Sequence, residues 1–346
     1  MKKRTPVTLT AALVGVGLLA AGCGSSQPTA SGPVDGDWDA VVAAAEEEGS
    51  VLLYSTQHPD NLARLETAFE AAYPDIDLEF VRGTDVEITP RVETEAQTGR
   101  GMADVHMTSD PAWAERAAES GDLSTPVVGP SFDDPDYDRA ASIMEDKLFL
   151  AGAAVMAMGW NTDAVPEGLD DVEDILDPRF EGKVGVVDPA GFASVVDEYR
   201  FFDANWGDGD FNERLADLEP RVYPSVLGIA QALASGEIEV TPMVAPLVRE
   251  GDTGAPVDWA LPDPAWGVPM YAHVLAASPH PNAAQVLADF MVGPEGQEAL
   301  SLGYGSVLGS VESPITRAQD IPFPDTDSLT SESVAAYQTE WEQLFR

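Results

Sequence analysis

Cysteine is nearly absent: Cys23 is the only one in 346 residues, so no internal disulfide can form. Basic residues are also scarce. Eighteen Lys and Arg stand against 60 Asp and Glu, a net charge of −42, so a nucleic-acid partner would meet repulsion and gain nothing from counterion release. After residue 36 no apolar run approaches the roughly 18 residues that a membrane span needs. GxSxG, HExxH and GxxxxGK are all missing, and the four histidines (His58, His106, His273, His280) show no ligand spacing to one another. No catalytic activity is expected, and no cofactor is implied. Gly at 30 and Pro at 27 are too few for a low-complexity or collagen-like chain, and no internal repeat of the kind that builds arrays is seen. A hydrophobic share of 44% supplies material for about two ordinary domains.

The beginning of the chain has a plain reading. Residues 1–23, MKKRTPVTLTAALVGVGLLAAGC, start basic, continue apolar and end in small residues before Cys23, the layout of a secretory signal too short to stay as a spanning helix. The ending Leu19-Ala20-Ala21-Gly22-Cys23 resembles the bacterial lipobox, with Leu19 one place earlier than usual, and this implies lipidation of Cys23. Residues 24–36, GSSQPTASGPVDG, have the composition of a flexible tether. The expected product is an extracytoplasmic body, lipid-anchored to the outer face of the bacterial cytoplasmic membrane. Its acidity fits either adaptation to salt or a preference for cationic solutes.

Short apolar runs then alternate with helical patterns. Val51–Ser55 reads as a strand, and Leu62, Leu65, Phe69 and Tyr73 place one apolar face on a helix over residues 60–73. Further strands are expected at 76–81 and 103–108, with helices at 85–98 and 111–119. A second series follows residue 160, with strands at 183–187, 238–244 and 268–277 and helices at 191–202, 225–235 and 281–291. Repeated strand–helix units predict parallel sheets with covered faces, and in such sheets ligands sit beyond the carboxyl ends of the strands. Residues 153–161 suit either a strand crossing between two lobes or an ordinary core strand.

Several strings, in their order and spacing, carry a resemblance: VLLYSTQHPDN, ADVHMTSDPAW, GWNTDAVP, DILDPRFEGKVGVVDP, AQALASGEIEV and SPHPNAAQVLADFMVGPEGQEAL. In these the chain resembles the substrate-binding lipoproteins of bacterial ABC importers, in the branch that includes ferric-iron-binding proteins. The resemblance implies an α/β fold of the type II periplasmic-binding-protein kind, with two lobes, each a mostly parallel sheet flanked by helices, joined by crossing hinge strands. Residues 37–155 with about 259–300 would form the first lobe, and about 156–258 with 301–346 the second. The partners it implies are one small-molecule solute and an ABC permease, the binding protein acting as a monomer. A sensor read by a membrane receptor is the alternative use of such a body.

In ferric binders of this branch the resemblance places a His after the first strand, a Glu after the third, and two adjacent Tyr after the strand that follows the GEI-type segment. His58 matches the first position. Ser109 stands at the second, beside Asp110, and Pro246 and Leu247 fall at the last two. His58 is the only retained metal donor, so ferric iron requires substitutes from Asp110, Tyr223 or Tyr271, because hard iron favours oxygen donors. A small organic solute with an anionic group is the leading expectation.

For that solute the residues offer several groups, each with a plainer reading. Ala190 and Gly191, where a strand enters a helix, form either an anion seat of backbone N–H groups or a simple helix cap. Arg82 and Thr84 follow the second strand and could clamp a charged group, although Arg82 serves equally as a surface ion-pair residue. Ser55, Thr56 and Ser109 are hydroxyls at strand ends, and His58 is either a ligand or a loop histidine. Trp113, Trp160, Tyr223 and Tyr271 are candidates to stack on a solute, though large aromatics are more often core.

Overall fold

The computed structural model describes residues 32–346 apart from Gly121, residues 312–314 and Phe323. The expected signal, Cys23 and residues 24–31 of the tether lie outside the described residues. In chain order the first half comprises α1 (Trp38–Glu48), β1 (Ser50–Ser55), α2 (Pro59–Ala72), β2 (Asp77–Arg82), α3 (Asp85–Thr98), β3 (Val105–Thr108), α4 (Pro111–Ser120), α5 (Arg139–Ser142), β4 (Ile143–Met144) and β5 (Leu148–Asn161). Then follow β6 (Gly185–Val187), α6 (Ala193–Asn205), α7 (Phe211–Ala216), β7 (Arg221–Tyr223), α8 (Val226–Ser235), β8 (Val240–Val244), α9 (Val248–Asp252) and β9 (Val257–Ala260). The chain closes with β10 (Trp266–Val274), α10 (Pro281–Val292), α11 (Pro294–Leu300) and α12 (Ser331–Phe345).

Local chemistry explains the boundaries. Asp37 accepts the Ala40 N–H to start α1, and Gly49 ends it at φ +73°, a conformation that a side chain would strain. In α2 the apolar stripe Leu62, Leu65 and Phe69 is fully buried, which stabilises the fold by about 1.5–3 kcal/mol for each side chain. Pro74 cannot continue that helix.

In the first lobe β1 pairs in parallel with β2 and with β3, and β10 then runs antiparallel between β3 and β5. β5 is the long crossing strand expected over residues 153–161. Its first part pairs with β10, and from Ala157 onward it pairs with β8 and β9. β9 and β10 return along β5 as the second crossing, and β6 pairs in parallel with β7 in the second lobe. Two separate apolar cores result. One holds Val41 through Val155 and Met270 through Ile321, and the other holds Ala157 through Val257 with Trp341. The division along β5 thus falls between Val155 and Ala157. The C-terminal assignment needs correction. Val307, Leu308, Val311, Ala318 and Ile321 pack in the first core, and α12 alone, through Trp341, joins the second. The reason is the antiparallel bridge of Ala153 to Gly305, which lays the segment after α11 against the first lobe's side of β5.

Candidate functional site

The parallel order β2-β1-β3 brings the carboxyl ends of three strands side by side. Thr56 and His58 follow β1, Arg82 ends β2, and Ser109 follows β3. Across from them stand the starts of two helices: Phe192, Ser194 and Val195 at α6, and Ser225 to Leu227 at α8. Together they line one cavity of about 120 Å³, walled by Ala154, Val155 and Met156 of β5 and by Trp266 and Val268 of β10.

His58 is the N-cap of α2. Its Nδ1 accepts the Asp60 N–H at 3.1 Å, which puts the ring proton on Nε2. Burial, with Arg249 and Arg82 nearby, pushes its pKa down to about 4 against the opposing pull of Asp60, so the ring is neutral at pH 7. Thr56 Oγ1 is buried and has no hydrogen-bond partner. Ser109 is held by Asp85, whose carboxylate accepts from the Ser109 Oγ at 2.6 Å, the Ser109 N–H at 3.2 Å and the Thr108 Oγ1 at 2.7 Å. With its proton directed at Asp85, Ser109 turns oxygen lone pairs toward the cavity. Neither α6 nor α8 has a side-chain cap on its first N–H groups, so two helix N-termini meet the cavity with donors open.

Glu198 is the group the sequence reading missed. It lies one turn into α6, is 1% exposed, lines the cavity, and its Oε1 has no hydrogen-bond partner. Burial, reinforced by the neighbouring Asp197 carboxylate, pushes its pKa well above the usual range. A signal was present in the sequence: Val195, Glu198, Tyr199 and Phe202 share one helix face, and an acid on an otherwise apolar stripe is out of place. Phe192, Trp266 and Tyr304 are further lining residues without a sequence motif of their own.

Thr56, His58, Arg82 and Ser109 are the expected site residues that line this cavity. Asp110 and Gly191 line an adjoining opening of about 270 Å³, which shares Ser109, Phe192 and Ser194 with it, and Asp110 also caps α4 by accepting the Trp113 N–H. Five expected residues are committed elsewhere. Ser55 is fully buried beneath the cavity and its Oγ donates to Met107 Sδ. Thr84 donates to the Glu87 carboxylate to cap α3. The Ala190 N–H is taken by Asp188 Oδ1 at 2.8 Å, so it belongs to a self-capped turn and not to an anion seat. Tyr223 donates its hydroxyl to Glu237 at 2.9 Å, and burial and that carboxylate push its pKa up to about 12. Tyr271 is buried within β10, paired with Thr108 and Leu150, where burial and Glu115 also push it up to about 12. Trp113 donates to Glu93 and lines the adjoining opening, while Trp160 belongs to the second core.

The iron donor set does not assemble. Neither Tyr223 nor Tyr271 reaches the cavity, and among the described residues no three His, Cys, Asp or Glu side chains come together as metal ligands. His58 itself is in the wrong tautomer: ligation through Nε2 needs the proton moved to Nδ1, where the Asp60 N–H already points.

Comparison with known proteins fits this geometry. Residues 54–303 match the family model described as bacterial extracellular solute-binding protein. An uncharacterized protein of Haemophilus influenzae is 25% identical over 273 residues, covering 75% of this chain and 77% of that protein. Among solved structures, the substrate binding protein of an ABC transporter from Agrobacterium tumefaciens has a TM-score of 0.73 at 15% identity, covering 86% of this chain and 94% of its own. AfuA from Actinobacillus pleuropneumoniae, solved with fructose-6-phosphate bound, has a TM-score of 0.67 at 19% identity, covering 86% and 98%. Iron-bound HitA from Pseudomonas aeruginosa has a TM-score of 0.64 at 18% identity, covering 85% and 99%. These structures share the fold, and the family match spans well over half the chain: the protein belongs to the bacterial extracellular solute-binding proteins.

Proposed function

We propose that this protein captures a small organic solute bearing an anionic group between its two lobes and delivers it to an ABC permease, held at the outer face of the cytoplasmic membrane by a lipid on Cys23. The observation that carries the reading is the convergence of the open N-termini of α6 and α8 with Arg82 and the Nε2–H of His58 on one cavity. Backbone donors and a guanidinium from opposite lobes suit an anion that closing lobes would bury. Sugar-phosphate binding in the AfuA structure is consistent with such a solute. Among the described residues no helix is long and apolar enough to cross a membrane.

Thermal denaturation of the purified protein against a library of small phosphates, phosphonates, sulfonates, carboxylates, amines and ferric iron tests the proposal. A solute at 100 times its dissociation constant adds about 2.7 kcal/mol, which raises the melting temperature by about 5 °C or more. Stabilisation by an anionic organic solute is the expected result. Stabilisation by ferric iron alone, or by no anion in the library, overturns it.

A further inference from the structure

We infer that the solute carries a second, cationic group, and that Glu198 is the residue that selects it, so the cargo class is a short zwitterion with an ammonium at one end and an anion at the other. This rests on the reading above and narrows it. Glu198 and Arg82 reach the cavity from opposite lobes, the carboxyl on α6 and the guanidinium at the end of β2. Glu198 is 1% exposed, yet its Oε1 has no hydrogen-bond partner. An unmet carboxyl oxygen at that depth costs free energy unless a ligand group satisfies it.

An ammonium is the group that fits. Ser109 also turns oxygen lone pairs to the cavity because its proton goes to Asp85, which gives a second acceptor. Phe192 and Trp266 supply aromatic surface beside Glu198, favourable to a cation and to a short alkyl spacer. A cavity of about 120 Å³ lined by both Glu198 and Arg82 suits a compact solute with its two head groups a short spacer apart. Burial and Asp197 disfavour the ionised Glu198 carboxylate and a seated ammonium favours it, so binding drives proton release to solvent.

The test uses pairs of probes that differ by one amine: taurine and ethanesulfonate, β-alanine and propionate, phosphoethanolamine and ethyl phosphate. Calorimetry on the purified protein is expected to show at least one amine-bearing member binding about 10–100-fold more tightly than its partner. Glu198→Gln keeps the shape of the neutral acid and is expected to erase that ratio while leaving the amine-free partner within about twofold. Titration in buffers of different ionisation enthalpy is expected to show close to one proton released on binding to wild type and none to the variant. Equal affinity within every pair, or a ratio that survives E198Q, overturns the inference. A library hit lacking an amine overturns it and leaves the proposed function standing. No hit of any kind removes both.

Discussion

Arg249 bridges the two lobes, and its removal should loosen the closed arrangement without unfolding either core. It sits on α9, next to Leu247 of the second core, and its Nη2 donates to Asn61 Oδ1 of α2 and to Leu302 O at 2.6 Å. Asn61 in turn donates to Leu300 O at 2.7 Å, so the clasp is anchored in the first lobe. Each charged hydrogen bond contributes about 1.5–3 kcal/mol. Asp60, 3.7 Å from Nε, adds little because it is 66% exposed. Against these stands burial, which lowers the Arg249 pKa and leaves Nε without a hydrogen-bond partner. Opening also lets water satisfy the freed acceptors. The balance favours closure by about 2 kcal/mol, a factor of roughly 30 in the closed-to-open ratio.

Arg249 does not line the cavity, although its charge reaches His58, so Arg249→Met acts on ligand binding mainly through closure. Calorimetry with the solute found by the library screen should therefore show weaker binding, by at most roughly 30-fold. The melting temperature without ligand should fall by no more than about 4 °C, the share of the clasp alone, because both cores are intact. X-ray scattering should report a radius of gyration above the roughly 20 Å of a compact chain of this length. Affinity within twofold of wild type, with unchanged scattering, refutes the clasp. A large fall in melting temperature would instead make Arg249 part of the packing.

Two further outcomes follow from buried polar groups. Asp289 is pushed up to about 6 by burial, against two hydrogen bonds from Ser131 that pull it down. A carboxyl whose folded pKa lies above its unfolded value binds its proton more tightly when folded, so it costs stability as pH rises from about 4 through 6. Asp289→Asn should then stabilise by about 1–2 kcal/mol in urea unfolding at pH 7.5 and by nearly nothing at pH 4, and a pH-independent difference would contradict the assignment. His58→Ala removes the α2 cap and should cost about 1 kcal/mol, while His58→Asn should retain most of it, measured by the same unfolding.

The central elements of the fold were legible because periodicity and punctuation agree there, whereas α1, α12, β7 and β9 were not read from the sequence. The stripe of Leu62, Leu65 and Phe69 and the stop at Pro74 fix α2, and the short apolar runs fix the strands to within two or three residues. The fate of residues 301–321 was not legible, since a segment without periodicity is placed by a bridge such as Ala153 to Gly305 that leaves no pattern in the sequence. Position along the chain places Thr56, His58, Arg82 and Ser109 beside one cavity, because strand ends follow from strand assignment. It does not show that Thr84, Ala190 and Tyr223 have polar atoms taken up by neighbours two to fourteen residues away, or that Ser55 donates to Met107. Local capping competes with ligand binding for the same residue types. Glu198 escaped for another reason: in a chain with 60 acids, one more acid carries no weight until its helical face is considered.

The apparent conflict between a net charge of −42 and an anionic cargo dissolves at the length scale of the cleft. Charges on the surface are screened over about 8 Å at physiological ionic strength, whereas groups that line a cavity act through little water. Arg82, the His58 Nε2–H and two helix N-termini therefore govern the anion's side of the cavity, however acidic the exterior. The exterior charge speaks to solubility and to the rate at which charged solutes arrive. Glu198 brings one acidic group inside, on the lobe opposite Arg82, and once an ammonium has seated on it the cleft discriminates by the separation of charges within the solute more than by the solute's net charge.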